Sequence, residues 1–125
     1  MIKLENEQIC MFDVDDTLVM WGDDFNTPSD DRIRIVDPYD NSAVYLKPHQ
    51  KHIRLVKQMH ARGRLVCVWS GGGVRWAETV VKALGLEPYV HMVMTKPICY
   101  VDDLPANDWL NNRIYLGEIK NEQRN

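Results

Sequence analysis

Residues 9–17 read ICMFDVDDT, a short apolar run that passes directly into three aspartates and a threonine. Short apolar runs that end at polar residues are typical of buried strands. Similar runs follow at Leu65 to Trp69, Val90 to Met94 and Ile98 to Val101, and Ile114 to Leu116 is the candidate for a last strand. The quoted stretch therefore predicts the first strand of a sheet whose other strands come much later in the chain.

Helix-periodic stretches and one hairpin separate these apolar runs. A first helix is predicted to begin near Pro48, a residue suited to a first helical turn, and to end before Gly63. A second helix is predicted to carry its apolar residues on one face and to end at Gly85. Residues 33–46, IRIVDPYDNSAVYL, predict a β-hairpin around a central turn. Strands that alternate with helices favour an α/β fold in which helices wrap a parallel sheet.

The overall composition favours one intracellular domain. A chain of 125 residues has the usual size of a single domain. It lacks both the roughly 20-residue apolar run of a membrane span and the pattern of a signal peptide. The three cysteines, Cys10, Cys67 and Cys99, each lie in an apolar run, which favours buried thiols over disulfides or a zinc site. We therefore expect a cytoplasmic protein with no membrane partner.

Charge is distributed unevenly along the chain. The formal net charge is −3, yet the segment Lys47 to Arg64 contains six of the 15 basic residues and no acidic residue. The rest of the chain therefore sets nine basic residues against all 18 acidic ones. Such a basic segment is either a surface that attracts a polyanion or the solvated face of an amphipathic helix. Both interpretations stay open from the sequence.

Polar residues suited to chemistry follow each predicted strand. The carboxyl ends of parallel strands share one edge of an open sheet, and ligands bind in the crevice there. We therefore expect four separate segments to meet at that edge. They are Asp13 to Thr17, Ser70 to Gly73, Thr95-Lys96 and Asp102-Asp103.

The residue types in this crevice suggest a metal ion beside a phosphate. Carboxylates brought together repel one another unless a cation neutralises them, and a ligand set made only of oxygen atoms favours Mg²⁺. Lys96, the Ser70 hydroxyl and the amides of Gly71 to Gly73 are suited to hold an anion. The sequence thus predicts a site for a divalent cation and a phosphate group.

The order of these motifs resembles that of the haloacid dehalogenase-like (HAD) phosphatases. Asp13-Val14-Asp15-Asp16-Thr17 comes first, Ser70 second, Lys96 third and Asp102-Asp103 last. The resemblance spans Ile9 to Asp103, most of the chain. It departs from the family at Asp16, where many members carry glycine.

This resemblance implies a small, capless member of the family. The fold class we expect is α/β, a single Rossmann-like three-layer domain with a central, mostly parallel sheet and a β-hairpin flap after the first strand. A cap domain is not expected, because residues 18–69 and 71–95, between the motifs, leave no room for one. The hydrolase domain would occupy residues 1–117, and residues 118–125 would form a polar C-terminal tail.

The resemblance also implies a role for each motif residue. Asp13 would be the nucleophile that forms an aspartyl-phosphate, which water then hydrolyses. Asp15 would protonate the leaving oxygen and later deprotonate the water. Mg²⁺ would be held by the Asp13 carboxylate, the Asp15 carbonyl and Asp102, with Asp103 bound through water or supporting the other ligands. The phosphate-binding set would be Thr17, which also orients Asp15, together with Ser70, Gly71 and Lys96.

The expected activity is Mg²⁺-dependent hydrolysis of a phosphate monoester. The substrate could be a nucleic-acid end, a nucleotide or another phosphorylated molecule that reaches an open site, with a neighbouring subunit of a homo-oligomer as a lid. A receiver-like module that is itself phosphorylated is an alternative, although receivers place their acidic pair first. A non-catalytic phosphate-binding module is another, although holding phosphate does not need Asp15. Trp21 and Trp76 are expected either in the core or at the mouth of the crevice.

Overall fold

The computed structural model describes residues 8–110 and has a mixed α/β architecture. In chain order the elements are β1 (Ile9–Asp13), β2 (Val19–Met20), β3 (Ile33–Val36), β4 (Ala43–Pro48), α1 (Gln50–Ala61), β5 (Leu65–Ser70), α2 (Val74–Ala83), β6 (Met92–Thr95) and α3 (Ala106–Trp109). A 3₁₀ turn, Glu87–Tyr89, precedes β6. These elements form two sheets, one parallel and one antiparallel.

The parallel sheet confirms the predicted pairing of strands that are distant in sequence. Its order is β1-β5-β6, with Asp13 opposite Trp69 and Ser70 opposite Thr95. The central strand β5 is apolar along most of its length, with Val66 to Val68 fully buried, as expected for a strand covered on both faces. The carboxyl ends of all three strands therefore lie along one edge.

The antiparallel sheet contains the predicted hairpin and one strand that was not predicted. Strands β3 and β4 pair from Ile33 opposite Leu46 to Val36 opposite Ala43. In the turn between them, the side chains of Asp37 and Asp40 accept hydrogen bonds from backbone N–H groups two residues ahead, a common way to stabilise a tight turn. The short strand β2 pairs with the other edge of β4.

Both predicted helices are present, with boundaries close to those expected. Helix α1 starts at Gln50 because Pro48 still belongs to β4 and the His49 side chain caps the helix by accepting from the His52 N–H. Helix α2 buries Trp76, Ala77, Val80 and Val81, which form its apolar face. The buried residues of α2, the parallel sheet and the hairpin form one hydrophobic cluster. The two sheets thus share a core.

The predicted strand at Ile98 to Val101 is wrong. This segment is irregular, and Ile98 and Val101 are 104% and 97% exposed, so neither side chain is covered by a sheet or a helix. Its apolar composition suggested a strand, but no strand among residues 8–110 pairs with it. Cys99 is exposed in the same segment, contrary to the expectation of a buried thiol.

Several other expectations concern the C-terminal region. The candidate strand Ile114 to Leu116 and the tail 118–125 lie outside the described residues. Helix α3 has Pro105 at its N-terminal cap position and Asp108 in its first turn. Among residues 8–110, no helix is both long and apolar enough to cross a membrane.

The alternation of burial in β3 leads to a stability prediction. Ile35 is 2% exposed, whereas its neighbour Val36 is 39% exposed on the opposite face of the strand. Ile35→Ala should lower the free energy of unfolding by about 2–5 kcal/mol, because it leaves a cavity in the shared core. Val36→Thr, the matched control, should change it by less than about 0.5 kcal/mol. Urea denaturation of both variants measures the difference, and equal losses would contradict the assigned faces.

Candidate functional site

The turn after β1 brings its aspartates to the edge of the parallel sheet. The Val14 carbonyl accepts hydrogen bonds from the N–H groups of Thr17, Leu18 and Val19 at 3.2, 2.9 and 3.2 Å. These bonds fold residues 14–19 into a compact loop over fully buried Val14 and Leu18. As a result, the polar side chains in the loop are held close to the end of β1.

Asp16 has an unusual backbone conformation for a residue with a side chain. Its φ angle is 59°, in the left-handed region that glycine adopts most easily. Aspartate and asparagine enter this region more readily than most other residues, because their short polar side chains can hydrogen-bond locally. Asp16 does so by accepting from the Trp21 N–H at 3.0 Å. An aspartate is therefore compatible with a turn that glycine would otherwise favour.

Asp13 lies between a hydroxyl group and an ammonium group. The Thr17 hydroxyl donates to its Oδ2 at 3.3 Å, and Lys96 Nζ lies 4.0 Å from its Oδ1. The Asp13 and Lys96 side chains are 34% and 46% exposed, so the pair is open to solvent and to an incoming ligand. Thr17 was expected to orient Asp15, but in the structure its hydroxyl is bonded to Asp13.

Asp15 is held by a different set of donors. Its Oδ1 accepts hydrogen bonds from the indole N–H groups of both Trp21 and Trp76, each at 2.9 Å. Its Oδ2 accepts from the Ser70 hydroxyl at 3.3 Å. Ser70 is fully buried, and its Oγ in turn accepts from the Gly72 N–H at 3.0 Å. We call the contact of the two indoles with Asp15 the indole clamp.

The indole clamp distinguishes the two oxygens of Asp15. A carboxylate oxygen has two lone pairs, so two indole donors can occupy both lone pairs of Oδ1. Within the described residues, the Oδ2 atom accepts only one long hydrogen bond, from Ser70. The sequence did not decide whether Trp21 and Trp76 lie in the core or at the mouth of the crevice. The spacing of these two tryptophans in the sequence does not indicate that both contact one carboxylate, because only the tertiary fold brings them together.

The glycine segment after β5 leads into the N-terminus of α2. The Ser70 carbonyl accepts from the Gly73 and Lys96 N–H groups at 3.1 and 2.8 Å, which ties this segment to the end of β6. The first helical N–H, of Val74, donates to the Thr95 hydroxyl at 3.0 Å. Thr95 therefore caps α2 from a different strand, a role that sequence reasoning missed. Apart from its own chain neighbours, no atom among residues 8–110 lies within 4 Å of where a Gly71 Cβ would be, so the backbone there can be closely approached.

The turn of the hairpin rests against the same segment. The Tyr39 hydroxyl occupies the space where a side chain on Gly73 would be, and Gly73 has a φ angle of 104°. Arg75 donates to the Pro38 carbonyl at 3.0 Å, and its guanidinium lies 5.2 Å from the centre of the Tyr39 ring. The predicted flap is thus anchored beside the proposed phosphate-binding segment.

Asp102 and Asp103 are not grouped with the other site carboxylates. Among residues 8–110, no three His, Cys, Asp or Glu side chains are placed to hold a metal ion together. Both residues are exposed, and Asp102 accepts from the Leu104 N–H at 3.1 Å. The pKa of Asp102 is lowered by a hydrogen bond with the Asp103 side chain and by the Leu104 N–H. The structure thus brings together Asp13, Asp15, Thr17, Ser70 and Lys96, but not the acidic pair.

No family model matches the chain, and neither does any curated protein or solved structure. The contacts of the site residues themselves indicate what chemistry the site can perform. Those contacts give two neighbouring carboxylates, one beside an ammonium and one beneath two indoles.

The indole clamp predicts a change that NMR can measure without any activity. Asp15→Ala removes the acceptor of both indole N–H groups, so the Trp21 and Trp76 indole N–H resonances should both move upfield. Trp109, which is 49% exposed on α3, should keep its indole resonance and serves as the internal control. Unchanged Trp21 and Trp76 resonances in a folded Asp15→Ala variant would rule out the clamp.

Proposed function

We propose that the protein is a Mg²⁺-dependent phosphatase of the HAD type, which hydrolyses a phosphate monoester through an aspartyl-phosphate on Asp13. One observation carries this proposal: two carboxylates lie in the same loop region with different partners. The mechanism needs one carboxylate as a nucleophile and another as a proton donor and acceptor. In this proposal the fold is the small, capless, three-layer form of that family.

Asp13 suits the role of nucleophile. It is partly exposed at the end of β1, and its Oδ1 lies 4.0 Å from Lys96 Nζ. A phosphoryl group that approaches Asp13 would meet the ammonium group, which offsets the repulsion between the carboxylate and the anionic oxygens. The bond between Asp13 and phosphorus forms as the bond between phosphorus and the leaving oxygen breaks. Water then displaces phosphate from Asp13 and restores the carboxylate.

Asp15 suits the two proton transfers. Its Oδ2 would give a proton to the leaving oxygen in the first step and take one from water in the second. The indoles hold Oδ1, so the side chain is restrained before substrate arrives. Such restraint is valuable because a misplacement of about 1 Å can cost roughly 100-fold in rate.

The oxygen ligands that the site offers favour Mg²⁺, but the arrangement of Asp102 and Asp103 agrees only in part with a Mg²⁺ site. Asp13 and Asp15 offer oxygen ligands at the sheet edge, but among residues 8–110 Asp102 and Asp103 do not form a metal-ligating group with them. When bound, Mg²⁺ would neutralise negative charge on the phosphoryl oxygens.

Two other functions remain in competition with hydrolysis. A receiver-like module or a passive phosphate-binding module needs Asp13 and Lys96 but has no use for a restrained proton donor. The three donors on Asp15 therefore favour turnover over binding alone. The exposure of Asp13 and Lys96 is compatible with a large substrate or with a lid from a second subunit.

The nucleophile and the metal can be tested together. Asp13→Asn should abolish hydrolysis of an aryl phosphate, because the amide cannot form the aspartyl-phosphate. Asp23→Asn, a change of the same type in an exposed loop residue, should leave activity unchanged. Chelation should abolish turnover by the wild-type protein, and added Mg²⁺ should restore it. Full activity in excess chelator would exclude the metal, and an active Asp13→Asn would exclude the nucleophile.

The role of the indole clamp can be tested by a double-mutant cycle. Asp15→Asn should lower kcat by at least about 100-fold, since both proton transfers lose their carboxyl group. Trp76→Phe removes one hydrogen bond to a charged group and should cost roughly 10-fold. If Trp76 acts through Asp15, the double variant should be no slower than Asp15→Asn alone. If the losses of kcat in the two single variants multiply in the double variant, Trp76 acts independently of Asp15 and has a structural role only.

A further inference from the structure

An open groove lies beside the proposed catalytic edge. It has a cavity volume of about 420 Å³ and is formed by the end of β2, the end of β4 and the start of α1. The residues that line it are Met20, Trp21, Lys47, Pro48, His49, Gln50 and Lys51. We call it the Trp21 groove, because Trp21 connects it to the site.

Trp21 belongs both to the groove and to the surroundings of Asp15. Its indole N–H donates to Asp15 Oδ1 at 2.9 Å, and the residue also forms part of the groove wall. A second groove, of about 440 Å³, is lined by residues of α2, β6 and the segment between them and includes none of the site residues. Of these two grooves, the Trp21 groove is the one that adjoins Asp15, the proposed proton donor to the leaving oxygen.

The charge of the groove is opposite to that of the chain as a whole. Lys47 comes from β4 and Lys51 from α1, so two elements each contribute an ammonium group to it. Lys47 lies 3.8 Å from Asp31, and both side chains are more than half exposed, so this ion pair is weak. Lys51 has no ion pair within residues 8–110. Both lysines are thus available to an anion, on a protein of net charge −3.

The structure revises how the basic segment is organised. Lys47, Lys51 and Arg54 have helical spacing in sequence, but Lys47 lies in β4 and only the other two lie on α1. Lys47 and Lys51 nevertheless share the groove. Arg54 is exposed one turn further along α1, where it would extend the positive surface away from the site.

The groove combines an aromatic wall, two cations and a volume within the ordinary range for ligand sites. We propose that it binds the part of the substrate that adjoins the scissile phosphate, and that this part is the terminal nucleotide of a single-stranded oligonucleotide. A base would contact the Trp21 side, and the next phosphodiester would meet Lys47 and Lys51. Aromatic contact with bases and a positive groove along the backbone are the usual means of binding single strands. A sugar phosphate lacks the second anion, and a phosphopeptide lacks the flat base.

This inference rests on the proposed phosphatase activity, so the test has one arm with turnover and one without. In the first arm, kcat/KM is measured for tetrathymidylate phosphorylated at its 5′ or 3′ end, for a phosphopeptide and for phenyl phosphate. The double variant Lys47→Ala/Lys51→Ala should lose about 10-fold or more on the preferred oligonucleotide and nothing on phenyl phosphate. The control Lys57→Ala/Lys82→Ala removes two lysines outside the groove and should match the wild type on all four substrates.

In the second arm, binding of fluorescently labelled, unphosphorylated tetrathymidylate is followed by anisotropy at several salt concentrations. Each lysine that neutralises a phosphate adds about 0.7 to the slope of log affinity against log salt, so the double variant should lose up to about 1.4. If oligonucleotide binding depends on the two lysines but no ester is hydrolysed, the proposed role of the groove is supported and the proposed phosphatase activity is refuted. Equal losses of kcat/KM on all four substrates in the double variant, or a salt slope unchanged from the wild type, would overturn the proposed role of the groove. Faster turnover of the phosphopeptide than of either oligonucleotide would overturn it too.

Discussion

Parallel pairing between β1 and β5 is the constraint on which the site depends. It sets Asp13 opposite Trp69, one residue before Ser70, so the two strands end at almost the same height. Successive side chains in a strand point to opposite faces, and a slip of one residue would exchange the faces of every side chain in β1. The buried residues Phe12 and Val68, which lie opposite each other, oppose such a slip. The hydrophobic core thus determines where the Asp13 carboxylate lies.

The loop after β1 places the carboxylates of Asp13 and Asp15 in two different environments. Asp13 faces Lys96 at the open edge, whereas Asp15 is turned toward Trp21 and Trp76. The two carboxylates are only two residues apart in sequence, yet their partners include Lys96 after β6, Ser70 at the end of β5 and Trp76 on α2. The difference between the two acids therefore depends on tertiary structure, and the docking of α2 supplies one of the two indole donors to Asp15.

The features that the sequence predicted well are those that depend on local chemistry. The apolar runs at residues 9–12 and 65–69 could be assigned because a buried strand needs a continuous apolar stretch, and the hairpin turn because Asp37 and Asp40 favour tight turns. The run at residues 98–101 has the same composition, but composition does not reveal whether a strand finds a neighbour to pair with. Likewise, the bond between Thr17 and Asp13 depends on how the loop closes. The motif order predicted that Asp13, Asp15, Thr17, Ser70 and Lys96 lie at one edge of the sheet, but it predicted neither the donors of each carboxylate nor the place of Asp102 and Asp103.

The contact between Tyr39 and Gly73 has a consequence for how this protein can diverge. The Tyr39 hydroxyl fills the space beside the Gly73 backbone, and the φ angle of Gly73 is 104°, so a side chain at position 73 meets both a steric and a backbone obstacle. In related sequences, glycine should therefore be retained at position 73 even where position 39 has become smaller. Position 39 can vary toward smaller residues, at the cost of the contact between the hairpin and the segment before α2.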